Sequence, residues 1–483
     1  MNREIILGLV ALLLAVQTVH GEINYDVESF GSTATGELTP FWMVSNNYGI
    51  VPLKPNNAYL KGTVKYQNDL GALKLQAGVD AVTAEQHTSN LRLHQLYMDV
   101  SYRKLQLTVG SKEYYNSFLD RKLSQGDMCF SGNSRPNPEA LLGFPEYADV
   151  PLTKGILKVK ADFAVGKSLE DDYILRAKNQ GATYTTGVLY HHKSLFLKID
   201  IPEGKIPLTL TAGLVHAAQW GGWVSSGDVH KQPASFQDFI RIVMCSSGGE
   251  SASEGDRINV LGNHLGTMNA RLDYKKNGFG IAVYKQHFFD DKSGLEYANW
   301  RDGIWGGEIC FPNRLIEKVV IEYLHTKNQS GPFHFIVYDN RYHYRGGGQD
   351  EYYNNGAYAQ GWSYFGRTIG NPLLTSPEYN KDGDLYFKNN RVESTHAGIS
   401  GKLLPDLSYR ILLTHMSGYG SMGNPFLTKK NSFSFLTECS YVPAAWHGWM
   451  LGLQLASDYG SLYGNSFGGS LKIAKRGIIC GRR

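Results

Sequence analysis

Segments of about ten residues in which polar and apolar side chains alternate, separated in turn by very short and by long connections, constrain this chain more than any other feature. In Tyr59–Gln67, Lys61, Thr63, Lys65 and Gln67 alternate with Leu60, Val64 and Tyr66. Leu73, Leu75, Ala77 and Val79 alternate with Lys74, Gln76 and Asp80, and the pattern recurs at Leu105–Val109, Leu157–Val165 and Met268–Tyr274. A period of two puts the two classes on opposite faces of a strand. A sandwich would alternate as well. Strand length and the asymmetry of the connections point instead to an all-β chain: a transmembrane antiparallel outer-membrane barrel with short periplasmic turns and long outer loops.

Threading strands through that asymmetry gives about eighteen, an even number with both termini periplasmic. The threading sets two short strands, 182–190 and 194–201, on either side of His191-His192. The long extracellular loops fall near 31–57, 114–153, 218–263 and 327–391 and are expected to fold over or into the lumen. Within 218–263, Phe236, Phe239, Ile240 and Val243 recur at helical spacing, so a short helix over 234–245 is expected. With Asp238 and Arg241 on its polar side, it is expected to fold inward as a plug in an otherwise aqueous lumen.

Among 483 residues, 54 Gly and 30 Tyr with a mean hydropathy of −0.30 exclude a disordered chain and a helical membrane protein. No linker marks a boundary, so residues 22–483 read as one domain. Residues 1–21, with Arg3 before an apolar run from Ile5 to Val16, read as a signal peptide; that run is too short to span a bilayer as a helix. A net charge of +4 and scattered basic residues argue against nucleic acid. The five cysteines are widely spaced with no C-x-x-C, which signals neither a disulfide framework nor a zinc site.

Enzymatic motifs fail one at a time. Gly418–Gly423 matches G-x-G-x-x-G but follows a strand and opens no helix. Asn380-x-Asp382-x-Asp384 has calcium-like spacing, yet Arg391 stands where an EF-hand needs its bidentate Glu. No catalytic residue, metal or cofactor is expected. What remains is aromatic and amide chemistry in outer loops: Phe41-Trp42 with Asn46-Asn47-Tyr48, Trp220 with Trp223, Asn299-Trp300-Arg301, and above all the stretch 345–373. Flat rings and amide forks suit pyranose sugars. The candidate polysaccharide-binding residues are Tyr352, Tyr353, Asn354, Asn355, Tyr358, Trp362, Tyr364, Arg367, Trp220 and Trp223. The same rings could brace the loop against itself, and Trp220 could belong to an aromatic girdle at the membrane interface.

The stretches PFWMVSNNYG (40–49), LYHHKS followed by LTAGLVHAAQWGG (189–222), IEYLHTKNQSGP (321–332) and DEYYNNGAYAQGWSYFGRTIGNPL (350–373) together resemble the capsule assembly protein Wzi family of Gram-negative outer membranes. The resemblance implies an eighteen-stranded barrel with a lumen blocked by loops, a lectin-like protein that anchors or organises capsular or other surface polysaccharide without catalysis. It also implies outer-membrane lipid, the barrel-insertion machinery and the polymer as partners of a monomer. Two departures stand out: nothing between Glu22 and Ala58 reads helical, and the chain ends IAKRGIICGRR without a terminal aromatic. A porin-like oligosaccharide channel and, behind it, a surface glycan-modifying enzyme are the alternatives; Lys158, Lys160, Asp162, Arg271 and Asp273 would suit a polar lumen.

Overall fold

The computed structural model describes residues 21–84, 91–177, 183–200, 207–226, 228–333, 335–337, 344–346 and 348–480. The expected signal peptide therefore lies, but for Gly21, outside the described residues. Among the described residues, eighteen strands form one closed antiparallel sheet, to which a two-residue strand, Ala148–Asp149, adds at the inner end. The first nine are β1 Glu22–Ala34, β2 Asn57–Leu70, β3 Leu73–Ala84, β4 Leu91–Tyr102, β5 Leu105–Ser111, β6 Pro138–Gly143, β7 Leu157–Lys167, β8 Leu189–Asp200 and β9 Leu208–Trp220. The rest are β10 Asn263–Lys276, β11 Phe279–Phe289, β12 Gly303–Cys310, β13 Lys318–His325, β14 Val392–Leu404, β15 Leu407–Gly420, β16 Pro425–Tyr441, β17 Trp449–Gly460 and β18 Ser466–Cys480. Each strand pairs with its neighbours in sequence, and β1 closes the ring by pairing with β18, with Glu28 opposite Ala474.

The expected count is right through two compensating errors. Residues 189–200 are one continuous strand, in register with β9 from Leu189 opposite Trp220 to Asp200 opposite Thr209. His191-His192 looks like a break in the sequence only because both faces are polar there. The six-residue β6, PEALLG, shows no alternation and so is indistinguishable from loop within 114–153. That loop is thus an outer connection, 112–137, followed by β6 and then an inner connection, 144–156.

Side-chain direction follows the pleat. Leu195, Leu197 and Leu210, Ile281 and Val283, Ile321, and Leu453 and Leu455 point outward and are exposed, whereas the inward-facing Phe196, Tyr284, Glu322 and Ala456 are buried. An apolar belt exposed around a closed sheet is stable only against hydrocarbon, and closure leaves no unpaired edge. Exposed Trp449, Trp446 and Tyr102 ring the short-turn end, and Trp305, Tyr323, Tyr459 and Phe467 ring the long-loop end. Short-turn geometry is local: Asn277 and Gly278 both hold positive φ, at 52° and 78°, the pairing a two-residue hairpin needs.

The lumen is filled rather than open. A single apolar cluster joins inward wall residues Phe30, Tyr59, Phe196, Tyr284, Val320, Leu412 and Leu436 to Phe41, Trp42, Phe118, Met128, Tyr353, Trp362 and Phe387 from three loops, 35–56, 112–137 and 326–391. The first of these carries a four-residue helix, Phe41–Val44, with every side chain buried, where the sequence shows no helical pattern. The helix expected over 234–245 forms as Phe236–Val243, capped by Ser235 and Asp238. It does not enter the lumen: it lies on the outer wall, where Phe239 meets the outward-facing Phe163, His191 and Trp220. Its own apolar residues, not Asp238 and Arg241, decide its seat, because Phe239 and Ile242 pack on Phe163, Ala218 and Trp220 of the wall.

Candidate functional site

The plug is assembled by polar side chains of the wall that grip loop backbone. Glu322 on β13 accepts from the Ser124 hydroxyl and the Gln125 N–H, both at 2.8 Å, and from the Tyr284 hydroxyl at 2.7 Å. Gln286 on β11 accepts from the Met128 N–H at 2.8 Å and donates to Asp127 at 2.7 Å. Asp127 in turn receives the N–H groups of Cys129 and Phe130, a side-chain turn that a short loop of this composition favours. On the other side, Asp458 takes the Phe41 N–H at 2.7 Å, and Thr414 takes the Trp42 indole N–H at 3.0 Å. Buried polar groups inside a barrel must be paired, and these pairs fix where each loop sits.

The loop 326–391 closes over that floor. The Tyr353 hydroxyl donates to the Met128 carbonyl at 2.5 Å and accepts the Asn371 N–H at 3.0 Å. Asn371 donates to the Gly126 carbonyl at 2.6 Å. Tyr352 donates to Asp302 at 2.7 Å and receives Asn299 at 2.5 Å. Asn354 exchanges two hydrogen bonds with the Phe387 backbone. Arg367 spans to the carbonyls of Val44 and Val51 at 3.3 and 2.7 Å and pairs with Glu378.

Of the ten residues read as sugar contacts, the structure buries eight. Tyr352, Tyr353, Tyr358, Trp362, Tyr364, Asn354 and Arg367 are each at most 8 % exposed, and their faces lie against protein. Trp220 is also buried, but on the outer wall under the helix Phe236–Val243, which removes it from any exposed girdle. The expectation that these eight meet a polymer directly is corrected: the six rings lie against protein, Asn354 and Arg367 bond loop backbone, and all but Trp220 belong to the plug's packing and hydrogen-bonding framework. Trp223 is 51 % exposed and Asn355 half-buried. Both stand on elements that meet at one edge of the outer rim. Trp223 opens a strand, Trp223–Ser226, of a small three-stranded sheet with 184–186 and 228–231. The plug loop docks on that sheet through Thr185 to the Ala357 carbonyl and Tyr358 to the Gly221 carbonyl, while Asn355 accepts from the N–H of Ala357 at 2.9 Å. In the loop 290–302, Trp300 is exposed, with the Arg301 guanidinium 5.3 Å from its ring centroid.

Carboxylates gather where the loops 290–302 and 326–391 meet. Burial, and then the Asp291 carboxylate nearby, pushes Asp350 up to about 8, and burial with Asp350 beside it holds Asp290 well above the usual range. Ser330 donates to Asp350 at 2.8 Å. The calcium-like spacing at Asn380 serves a turn instead: Asn380 donates to the carbonyls of Asp384 and Tyr386, and Lys388 pairs with Asp382 and Asp384.

Beneath the plug the barrel opens into polar cavities on the short-turn side. One of about 420 Å³ is lined by Lys61, Glu113, Arg121, Arg410 and Lys472. Another of about 350 Å³ is lined by Tyr115, Arg271, Asp273, Glu308 and Lys318. Arg271 bridges Asp273 and Glu308 at 2.9 and 2.7 Å, and Lys318 pairs with Asp120 at 2.7 Å. Lys160 and Asp162 also face inward, against Asn116 and Tyr114, so the expected polar inner face is present. The loop 112–137, whose role as a floor is not legible in its composition, separates these cavities from the outside.

No protein-family model and no curated protein matches this sequence. Among solved structures, the chain is similar to Wzi of Escherichia coli, an outer-membrane protein involved in group 1 capsule assembly and described as a carbohydrate-binding β-barrel. The TM-score is 0.59 at 12% identity, covering 98% of this chain and 87% of that one. OccK5 (OpdH) of Pseudomonas aeruginosa aligns at a TM-score of 0.48 and 10% identity, over 95% of this chain and 99% of that one. OccD3 (OpdP) of the same organism aligns at 0.47 and 11% identity, over 95% of this chain and 92% of that one. The chain has the fold of an outer-membrane barrel, and its apolar belt with two aromatic rings seats it in that membrane.

Proposed function

We propose that this barrel holds a surface polysaccharide at its outer rim, non-enzymatically, and passes no solute through its lumen. The observation that carries the reading is the plug: one continuous apolar cluster runs from the wall through three loops. A barrel so filled presents its chemistry to the outside. The similar solved barrel is described as carbohydrate-binding, and the same ligand class, capsular or other surface polymer, is proposed here. Trp223 supplies an exposed ring, Asn355 an amide on the plug loop that docks at the same small sheet, and the buried plug residues hold that loop in place. Outer-membrane lipid and the barrel-insertion machinery complete the partners of a monomer.

The test is binding of purified surface polysaccharide to the folded protein in detergent, with Trp223→Ala and Asn355→Ala measured alongside. Truncating an aromatic anchor costs roughly 2 kcal/mol, about thirtyfold in affinity. Loss of that order in Trp223→Ala supports the reading; polymer that does not bind the unmodified protein overturns it. A second reading, a gated oligosaccharide channel, is favoured by one observation, the charged cavities under the plug. Conductance separates the two.

A further inference from the structure

The loop 221–262 leaves the outer rim, turns down the outside of the barrel and lies against β8, β9 and β10. Ile242 and Leu261 pack on Ala218 and Trp220 of the wall, while Phe236, Ile240 and Met244 face away and are exposed. Under this loop the wall carries residues that an outward-facing apolar belt does not explain: His191, His216 and His264 are buried, at 0, 2 and 6 % exposure. Strand register sets them side by side. His216 on β9 lies opposite Lys193 of β8 and Gly266 of β10, and His264 lies on β10 opposite Ala218.

Cys245 completes the group. The helix Phe236–Val243 ends at Met244, and Cys245 takes a positive φ of 51°, a conformation that side chains other than glycine rarely adopt. That turn brings its Sγ to 3.2 Å from His216 Nε2. His264 Nδ1 stands 2.9 Å from the same nitrogen. The three donor atoms, from His216, Cys245 and His264, lie within 4.8 Å of one another.

The His264 tautomer is set for ligation. His264 Nε2 lies 2.7 Å from the Leu261 carbonyl, so it carries the proton and leaves Nδ1 as a lone pair directed at His216. Donation of the distal ring N–H to a backbone carbonyl is the usual support of a metal-bound histidine. His191 is arranged the same way: Nδ1 is 2.7 Å from the Ala164 carbonyl, and Nε2 is buried without a partner among the described residues. Its ring centroid is 6.0 Å from that of His216. The nearby cation, Lys193, is occupied by the Val243 carbonyl.

We infer that His216, His264 and Cys245 form a binding site for a zinc-class divalent ion that pins the external loop 221–262 to the barrel wall. One thiolate and two imidazoles match the borderline-soft ligand preference of zinc and of cobalt. The observed gaps are a few tenths shorter than the roughly 3.3–3.6 Å edges of a tetrahedron built on Zn–N and Zn–S bonds. Small side-chain rotations open them. Binding gains one ion and releases the Cys245 thiol proton to solvent, while the His216 ring proton moves from Nε2, where it faces the His264 lone pair, to Nδ1. The fourth position falls to water or to His191. The consequence is mechanical: the ion ties Cys245 to two wall residues, 29 positions before it in one case.

The test uses the folded full chain in detergent, stripped with chelator under a phosphine reductant and titrated with Co²⁺. One equivalent giving tetrahedral visible bands and a thiolate-to-cobalt charge-transfer band is expected, with the charge-transfer band lost in Cys245→Ser and displaced by Zn²⁺. Cys245 is exposed, so that variant leaves the core intact. A spectrum that is absent, or that survives Cys245→Ser and so belongs to another cysteine, overturns the inference. The pinning role is read separately by trypsin cleavage at Arg241. Zinc at one hundred times its Kd should lower the open-loop population, and with it cleavage at Arg241, about a hundredfold in the unmodified protein and leave Cys245→Ser unchanged. Equal cleavage with and without zinc overturns that role.

Discussion

Trp362 donates its indole N–H to the main-chain carbonyl of Cys129 at 2.8 Å, across a sequence separation of 233 residues. That bond joins two inward loops face to face, and Phe130 meets the Trp362 ring edge-on at 5.7 Å. Two of the three segments that close the lumen therefore hold each other rather than hanging separately from the rim.

Closure makes conductance the first check. In planar bilayers the unmodified protein is expected to show no sustained open-channel current. Replacing residues 116–131 by a short Gly-Ser segment removes the floor and should give stable ohmic steps, with heat-modifiable migration confirming that the barrel still forms. Steady currents from the unmodified protein would instead support the channel reading.

Tyr353→Phe removes one hydroxyl and strips the Met128 carbonyl and the Asn371 N–H of the partner they share. Leaving a buried polar group unpaired costs about 1–3 kcal/mol. Amide hydrogen exchange in 124–131 and 368–374 should accelerate, while exchange in the wall strands stays unchanged.

The loop junction at Asp350 should be more firmly ordered in mild acid. Its pKa of about 8 in the fold stands above the ordinary value of about 3.9, so between those limits the folded state holds a proton that the unfolded state lacks. Stability falls as pH rises through that window and levels off above about 8. Proteolysis at the junction, within 348–356, should increase from pH 5 to pH 8.5, and Asp350→Asn should flatten the profile. A profile of the opposite slope would contradict the assignment.

The outward face can be tested at Ile321, 57 % exposed beside the buried Val320 and Glu322. Ile321→Arg places a charge against hydrocarbon at a cost of about 2–4 kcal/mol near mid-membrane. The folded fraction in lipid vesicles should drop by urea titration, while Lys158→Arg, at a lumen-facing position of the inner end, should not change it.

Much of the barrel is legible because alternation is a local property: a strand such as Leu157–Lys167 announces its faces residue by residue. His191 and His192 hide theirs, since one is covered by an external loop and the other is held inside by Glu139 at 3.0 Å, so neither face reads as apolar. The site is less legible for a physical reason. Tyr352, Tyr353 and Trp362 would have the same spacing whether their faces met sugar or met Phe288, Phe387 and Phe130, and only the fold decides which. The meeting of Cys245 with His216 and His264 is invisible too, because ligand spacing across strand register leaves no short motif.

The Phe41 N–H reaches Asp458 across 417 residues of chain. Loop closure over such a distance is slow and unrewarded until both ends are in place. This anchor of the plug's first segment therefore becomes available only when the seventeenth strand is in place, so the last strands of the barrel carry part of the seal as well as the closure of the wall.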